Sequence, residues 1–384
     1  MDKEIVLQIF TGGFRGRSAT FENVRRKLDY LTSRIKISKV IMGWSLNPEL
    51  YKDTQKYLSQ RGIEFYFWTP VFSEIDVLKE CIPLIDYQGK GIENYTWHEQ
   101  EDFTFYCCNH PQNSFNFLRV FEENFSSIGF TGVFLDKIRY PSFANGLQGV
   151  FTCFCPHCQI KYKSAGFDPM DLEGLISKLK QESSPFGITK YYQGKYSFEN
   201  DVWNKFFNLK SQFISDAVKR IAYYFVEKQY KIGLDVMSPF VSQFVGQDIK
   251  TLSSFSDFVK PMMYRMTNAP AGLPFELEHL LQKIGSNESQ RNAFYRILDF
   301  DPLKHPFDID FAVKELEGLA QTTQSPIYPG LEINRIKDIA EVSPSYIEET
   351  IEAYGQVGVK GFVLSWNLLD APEENVDQIV RMFS

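Results

Sequence analysis

Eight short β-rich runs, each followed by helical periodicity, restrict what this chain can fold into more than any other feature. The runs are residues 5–10 (IVLQIF), 39–45 (KVIMGWS), 64–70 (EFYFWTP), 132–136 (GVFLD), 231–237 (KIGLDVM), 258–264 (FVKPMMY), 325–332 (SPIYPGLE) and 361–367 (GFVLSWN). Nearly all are continuously apolar rather than alternating, as expected of strands buried on both faces beneath helices. Between them lie helix signals. Asn47 and Pro48 cap and start one helix and Gly62 suits its end; Ser114 opens an amphipathic stretch that stops at Gly129. A long helical pattern runs from about Trp203 to Glu227, Ser343 and Pro344 start another helix, and Asp370 to Pro372 start the last. Eight strands alternating with helices predict an α/β fold, the (β/α)8 TIM barrel, as one domain over residues 1–384. An open doubly wound sheet is the alternative, disfavoured because TGGFRG after the first run is a poor phosphate loop. Insertions at 141–200 and 267–308 leave from C-terminal strand ends and are expected to wall the active-site cleft.

Composition narrows the function. A net charge of −7 and pI near 5.5 argue against a nucleic-acid partner, which wants a basic stripe. The aromatic fraction of 16%, with 35 Phe and 20 Tyr, exceeds the needs of an ordinary core and suits a cleft where sugar faces stack on flat rings. The start, MDKEIVLQIFTGGF, is not an export signal, and no stretch approaches the length of a membrane span, so we expect a cytoplasmic protein with no membrane partner. In a reducing compartment six cysteines are better metal ligands than disulfide partners. A homo-oligomer stays open.

A barrel carries its chemistry at strand ends. Asp136 ends the fourth run, Asp235 lies in the fifth, Glu332 ends the seventh and Asp370 follows the eighth, while Trp44, Trp68 and Trp366 finish the second, third and eighth. Carboxylates for acid/base or nucleophilic work beside indoles for stacking suit a carbohydrate substrate. The competing account is structural, with Asp136 and Glu332 capping loops or pairing with Arg139 and Arg335.

The segment GFTGVFLDKIRYPS resembles the L-D-x-x-R-Y-P signature of bacterial glycoside-hydrolase-like TIM barrels, with Asp136, Arg139, Tyr140 and Pro141 at the matching positions. Asp235, Gly246, Gln247, Asp248, Pro261, Met262 and Tyr264, then PGLE at Glu332 and GFVLSWNLLD, are similar to the same group, so the likeness spans nearly the whole barrel. It implies a glycosidase without naming a sugar. We expect Asp136 as nucleophile and Glu332 as acid/base, with Asp235 as substitute partner; a carboxyl separation of about 5 to 5.5 Å would mean a retaining enzyme. Arg139 is expected to hold Asp136 ionised, Tyr264 to hydrogen-bond the nucleophile or a sugar hydroxyl, and Trp366, with Trp68 and Trp44, to form the platform under the sugar.

Cys153, Cys155 and Cys158 form a C-x-C-x-x-C cluster a few residues beyond Asp136. It resembles the zinc-binding loop of the family 42 β-galactosidases, in which a lone upstream cysteine completes the set. Cys108, 45 residues before Cys153, fits that place, and Cys107 is the other candidate. That family ends its fourth strand in Asn-Glu where this chain has Leu135-Asp136. Four thiolates would close a structural zinc site with no open position, tying together loops that lack a core. His110 and His157 are spare ligands; His98, His279 and His305 show no metal spacing. Two rival functions stand beside the glycosidase: a barrel that binds saccharide without cleaving it, and a zinc-thiolate enzyme, which needs an open coordination position. A phosphate-handling barrel is disfavoured by Glu332 and Asp370 where backbone glycines are expected.

Overall fold

A computed structural model describes residues 3–12, 19–73, 81–94, 103–301, 303 and 307–384. Eight parallel strands, here β1 to β8, are Glu4–Phe10, Ile37–Gly43, Glu64–Pro70, Gly132–Asp136, Lys231–Val236, Phe258–Pro261, Gly330–Glu332 and Gly361–Ser365. Each pairs with its sequence neighbour, and β1 pairs with β8, giving the order β6-β5-β4-β3-β2-β1-β8-β7. A parallel bridge between Val259 and Ile327 joins the two remaining edges. This near-closure makes a (β/α)8 TIM barrel and excludes the open doubly wound sheet.

The helix signals translate into structure through their caps. Asn47 Oδ1 accepts from Leu50 N at 3.3 Å ahead of helix Pro48–Ser59, and Ser343 caps Pro344–Gly355 in the same way. The helix expected from Ser114 begins earlier, at Pro111, because His110 supplies the cap through Nδ1 and proline suits the first turn. The long helix is Asp201–Glu227, and the last is Glu373–Phe383. No described helix is long and apolar enough to cross a membrane.

Inside the barrel the period-2 geometry of a strand selects the lining: Val6, Ile41, Tyr66, Phe134, Phe258 and Val363 form one apolar cluster, separate from the larger core beneath the helices. Large inward rings need small neighbours. A Cβ on Gly233 would lie 2.3 Å from the Phe258 ring, and one on Gly330 2.6 Å from the Tyr264 ring. Three strand ends are shorter than the apolar runs suggest. β6 stops at Pro261; β7 is regular only over its last three residues; β8 stops at Ser365, where Asn334 Oδ1 accepts from Trp366 N and Asn367 N.

After β4 the chain forms several short helices and an antiparallel hairpin, Ile188–Tyr192 with Lys195–Phe198, before returning through the long helix. Tyr191 Oη donates to the buried Glu315 carboxylate at 2.6 Å, fixing this hairpin to the helix before β7.

Candidate active site and cysteine cluster

The C-terminal mouth of the barrel holds a cavity lined by Gln8, Phe10, Trp44, Trp68, Phe103, Asp136, Lys137, Arg139, Asp235, Lys260, Met262, Tyr264, Thr267, Ala269, Pro270, Ala271 and Trp366. The polar members from β1, β4, β5 and β6 continue the inward-facing register of their strands above the apolar layer. Gln8 follows Val6 on β1, Asp136 follows Phe134 on β4, Asp235 follows Gly233 on β5, and Lys260 follows Phe258 on β6.

Asp136 is held by two N–H donors. Trp68 Nε1 donates to its Oδ2 at 2.9 Å, and the backbone N–H of Lys137 donates to Oδ1. Lys137 itself has φ = 49°, a left-handed turn that costs a non-glycine residue on the order of 1 kcal/mol and swings the chain away at the strand end. Its ammonium lies 4.2 Å from the Phe103 ring centroid and 5.4 Å from that of Trp44.

Asp235 is 2% exposed and takes one charge-assisted hydrogen bond, from Lys260 Nζ to Oδ2 at 2.9 Å; Oδ1 has no protein partner. Burial drives its carboxyl up to about 7, against the pull of Lys260 and with added repulsion from Asp136. A carboxyl in that range is poised to give or take a proton at neutral pH. Tyr264, buried beside it, has its phenol pushed up to about 12 by burial, against the pull of Lys260.

Glu332 does not join them. Its carboxylate accepts from the backbone N–H groups of Arg265 (2.9 Å), Met266 (3.1 Å) and Thr267 (2.7 Å), from Thr267 Oγ1 at 2.6 Å, and from the Tyr346 hydroxyl. Both oxygens are consumed in fastening the loop after β6, so the expected Asp136–Glu332 pair is corrected to Asp136 and Asp235 as the carboxylates that line the cavity. Asp370 is exposed and accepts from Asn367 Nδ2 at 2.6 Å.

Arg139 lines the cavity but forms no ion pair with Asp136. It donates to Tyr140 O at 3.1 Å and lies over the Phe105 ring at 4.8 Å, and the side-chain and backbone donors to Asp136 are Trp68 Nε1 and Lys137 N instead. Trp44 is buried edge-to-face against Trp68, with centroids 4.8 Å apart, while Trp366 is half-exposed. Gln8, Lys137 and Lys260 were not singled out from the sequence. The available signal was a polar residue interrupting an otherwise apolar strand, as in IVLQIF and FVKPMM.

The cysteine cluster is Cys107, Cys153, Cys155 and Cys158, all buried, with the four Sγ atoms within 4.8 Å of one another. Cys107 Sγ lies 3.5 Å from both Cys155 Sγ and Cys158 Sγ. A regular tetrahedron of thiolates at 2.3 Å from zinc has edges of about 3.8 Å, so the donor set and its spacing fit a metal ion. Cys108, expected as the fourth ligand, is corrected to Cys107. Neighbouring side chains point apart, and Cys108 donates to Tyr140 Oη at 3.3 Å with burial holding its thiol up to about 12. His110 is engaged in capping its helix and packs against His157 with centroids 4.4 Å apart; His98 and His305 lie outside the described residues. The cluster joins the segment ahead of helix Pro111–Asn124 to the loop after β4.

No protein-family model matches the chain, and no curated protein matches it in sequence. Solved structures match in shape. The PgaB (BpsB) glycoside hydrolase domain from Bordetella bronchiseptica superposes with TM-score 0.58 at 11% identity, over 99% of this chain and 99% of that one. The α-L-fucosidase isoenzyme 2 from Paenibacillus thiaminolyticus superposes with TM-score 0.52 at 11% identity, over 100% of this chain and 49% of that one. At such identity the likeness is one of fold: this chain is built as those glycoside hydrolase barrels are.

Proposed function

We propose that the protein is a glycoside hydrolase in which Asp235 is the proton donor and Asp136 the nucleophile of a retaining reaction. The observation that carries this reading is the pair of carboxylates on adjacent strands, opening into one aromatic-lined cavity with opposite environments. Asp136 receives two N–H donors, which fix the orientation of its carboxyl group. Asp235 is buried, raised to about 7 and has one oxygen free to face a glycosidic oxygen. Two carboxyl groups in such different surroundings divide the labour of glycoside cleavage. Trp366 at the rim supplies a platform for the sugar, and the fold neighbours named above carry the same activity in their titles.

A panel of aryl glycosides tests the reading. Turnover that disappears in Asp136→Asn and Asp235→Asn, with saccharide binding retained, supports it; the first product anomer seen by NMR decides retention. Binding without turnover on every glycoside would instead make the protein a saccharide-binding barrel.

We further propose that the cysteine cluster holds a structural zinc ion, with all four positions filled by Cys107, Cys153, Cys155 and Cys158. Zinc so held clamps loops and offers no position to a substrate. Thiolate ligation fits a reducing, cytoplasmic setting. Metal analysis of purified protein should give about one equivalent of zinc per chain, lost in Cys107→Ser and kept in Cys108→Ser; retention by Cys107→Ser would overturn the ligand assignment.

A further inference from the structure

Three buried polar atoms around the cavity have no protein partner: Gln8 Nε2, Trp44 Nε1 and Asp235 Oδ1. Their residues are between 0% and 2% exposed. Buried polar groups are nearly always hydrogen-bonded, and leaving one unmade costs about 1 to 3 kcal/mol. Such atoms brought to one cavity from facing sides of the barrel are therefore a built set of contacts for something polar.

Gln8 is the member with a fixed aim. Ser365 Oγ lies 3.2 Å from its Oε1 and shares its one proton with Val363 O at 3.0 Å, so the amide is anchored at that end and Nε2 is the end without a partner. It arises from the middle of β1, an otherwise apolar strand deep in the barrel, where nothing about folding calls for an amide. Trp44 adds a second donor and Tyr264 a hydroxyl able to donate or accept. The aromatic rings of Phe10, Trp68 and Trp366 complete the lining.

A pyranose divides the same way: its hydroxyls project from the rim and its faces present C–H groups. We infer that the sugar unit next to the scissile bond enters the cavity rim-first, and that Gln8 is the specificity-determining residue, its Nε2 donating to one ring hydroxyl oxygen. This rests on the glycosidase reading for the word scissile, but the contact itself is one of binding. Gln8 takes no part in proton transfer. It selects which hydroxyl configuration fits.

The experiment is a double-mutant cycle between protein and sugar. Wild type, Gln8→Met and Trp44→Phe are compared on a panel of 4-nitrophenyl hexosides and on singly deoxygenated analogues of the preferred one. Binding of the corresponding free sugars is followed separately by tryptophan fluorescence. For wild type, removal of one particular hydroxyl should weaken kcat/KM and affinity by about tenfold, and Gln8→Met should reduce that penalty to less than about twofold. Other positions should show no coupling to Gln8. If every deoxy analogue shows the same penalty in wild type and in Gln8→Met, or if Gln8→Met changes nothing, the assignment is overturned. Should the variants fold poorly, the wild-type series still decides: no single hydroxyl with a dominant penalty sinks the proposal. Sugar binding coupled to Gln8 without turnover would overturn the glycosidase reading and leave this one standing; turnover indifferent to Gln8 would do the reverse.

Discussion

Asp235 and Glu332 make an instructive pair. Both are acidic residues near the inner ends of barrel strands, both are almost wholly buried, and burial raises the pKa of both. They differ in what occupies their oxygens. Glu332 accepts from five donors of one loop and its own flank, while Asp235 meets a single ammonium and keeps one oxygen unpartnered. A satisfied buried carboxylate is a rivet; an unsatisfied one beside a cavity is the one we propose as a reagent. Strand-end position therefore selects candidates, and the hydrogen-bond tally separates them.

The sharpest break of this comparison is in rate. Asp235→Asn and Asp136→Asn should each lower kcat by about 10²- to 10⁴-fold in protein that remains folded, as judged by circular dichroism. Glu332 should behave in the opposite sense. Glu332→Ala strands three backbone N–H groups and two hydroxyls, so unfolding by denaturant should show a loss of about 3 to 5 kcal/mol. A Glu332 variant that stays folded yet loses turnover as completely as Asp235→Asn would restore it to the catalytic pair.

A smaller effect is expected at Trp68. Trp68→Phe keeps the ring and removes the donor to Asp136 Oδ2, a charge-assisted hydrogen bond, so kcat should fall by about tenfold at unchanged stability.

The last prediction is a displacement rather than a loss. With Asp235 raised to about 7, kcat/KM should decline as pH climbs through that value and the proton donor is lost. Lys260 lowers the Asp235 pKa, so Lys260→Met should move this limb to higher pH; a limb that stays put would detach it from Asp235. The same shift has a stability sign. Between the ordinary 3.8 and about 7 the folded state keeps a proton that the unfolded state has released, so this group's contribution is full at low pH and drains away as pH rises across that window.

Much of the scaffold was legible beforehand because it depends on local rules. The eight apolar runs became the eight barrel strands, and the caps at Asn47 and Ser343 began helices where their side chains could reach the first free N–H groups. The errors cluster where a decision needed the third dimension. Cys107 and Cys108 are equivalent in sequence spacing, and only the path of the chain turned one sulfur toward the cluster and the other toward Tyr140. Gln8 and Lys260 carry no sequence signal beyond one polar residue in an apolar strand, and only the barrel's geometry shows that they face the cavity.

The sequence by itself determined the barrel, the aromatic mouth and the presence of a thiol cluster after the fourth strand, since periodicity, composition and C-x-C-x-x-C spacing are properties of neighbouring residues. Only the tertiary structure decided which carboxylates are free to act. Whether an oxygen already has a donor depends on groups more than sixty residues away, such as the Thr267 N–H on Glu332. That satisfaction of buried polar atoms, a long-range property, separates the residues that hold this protein together from those it can spend on a substrate.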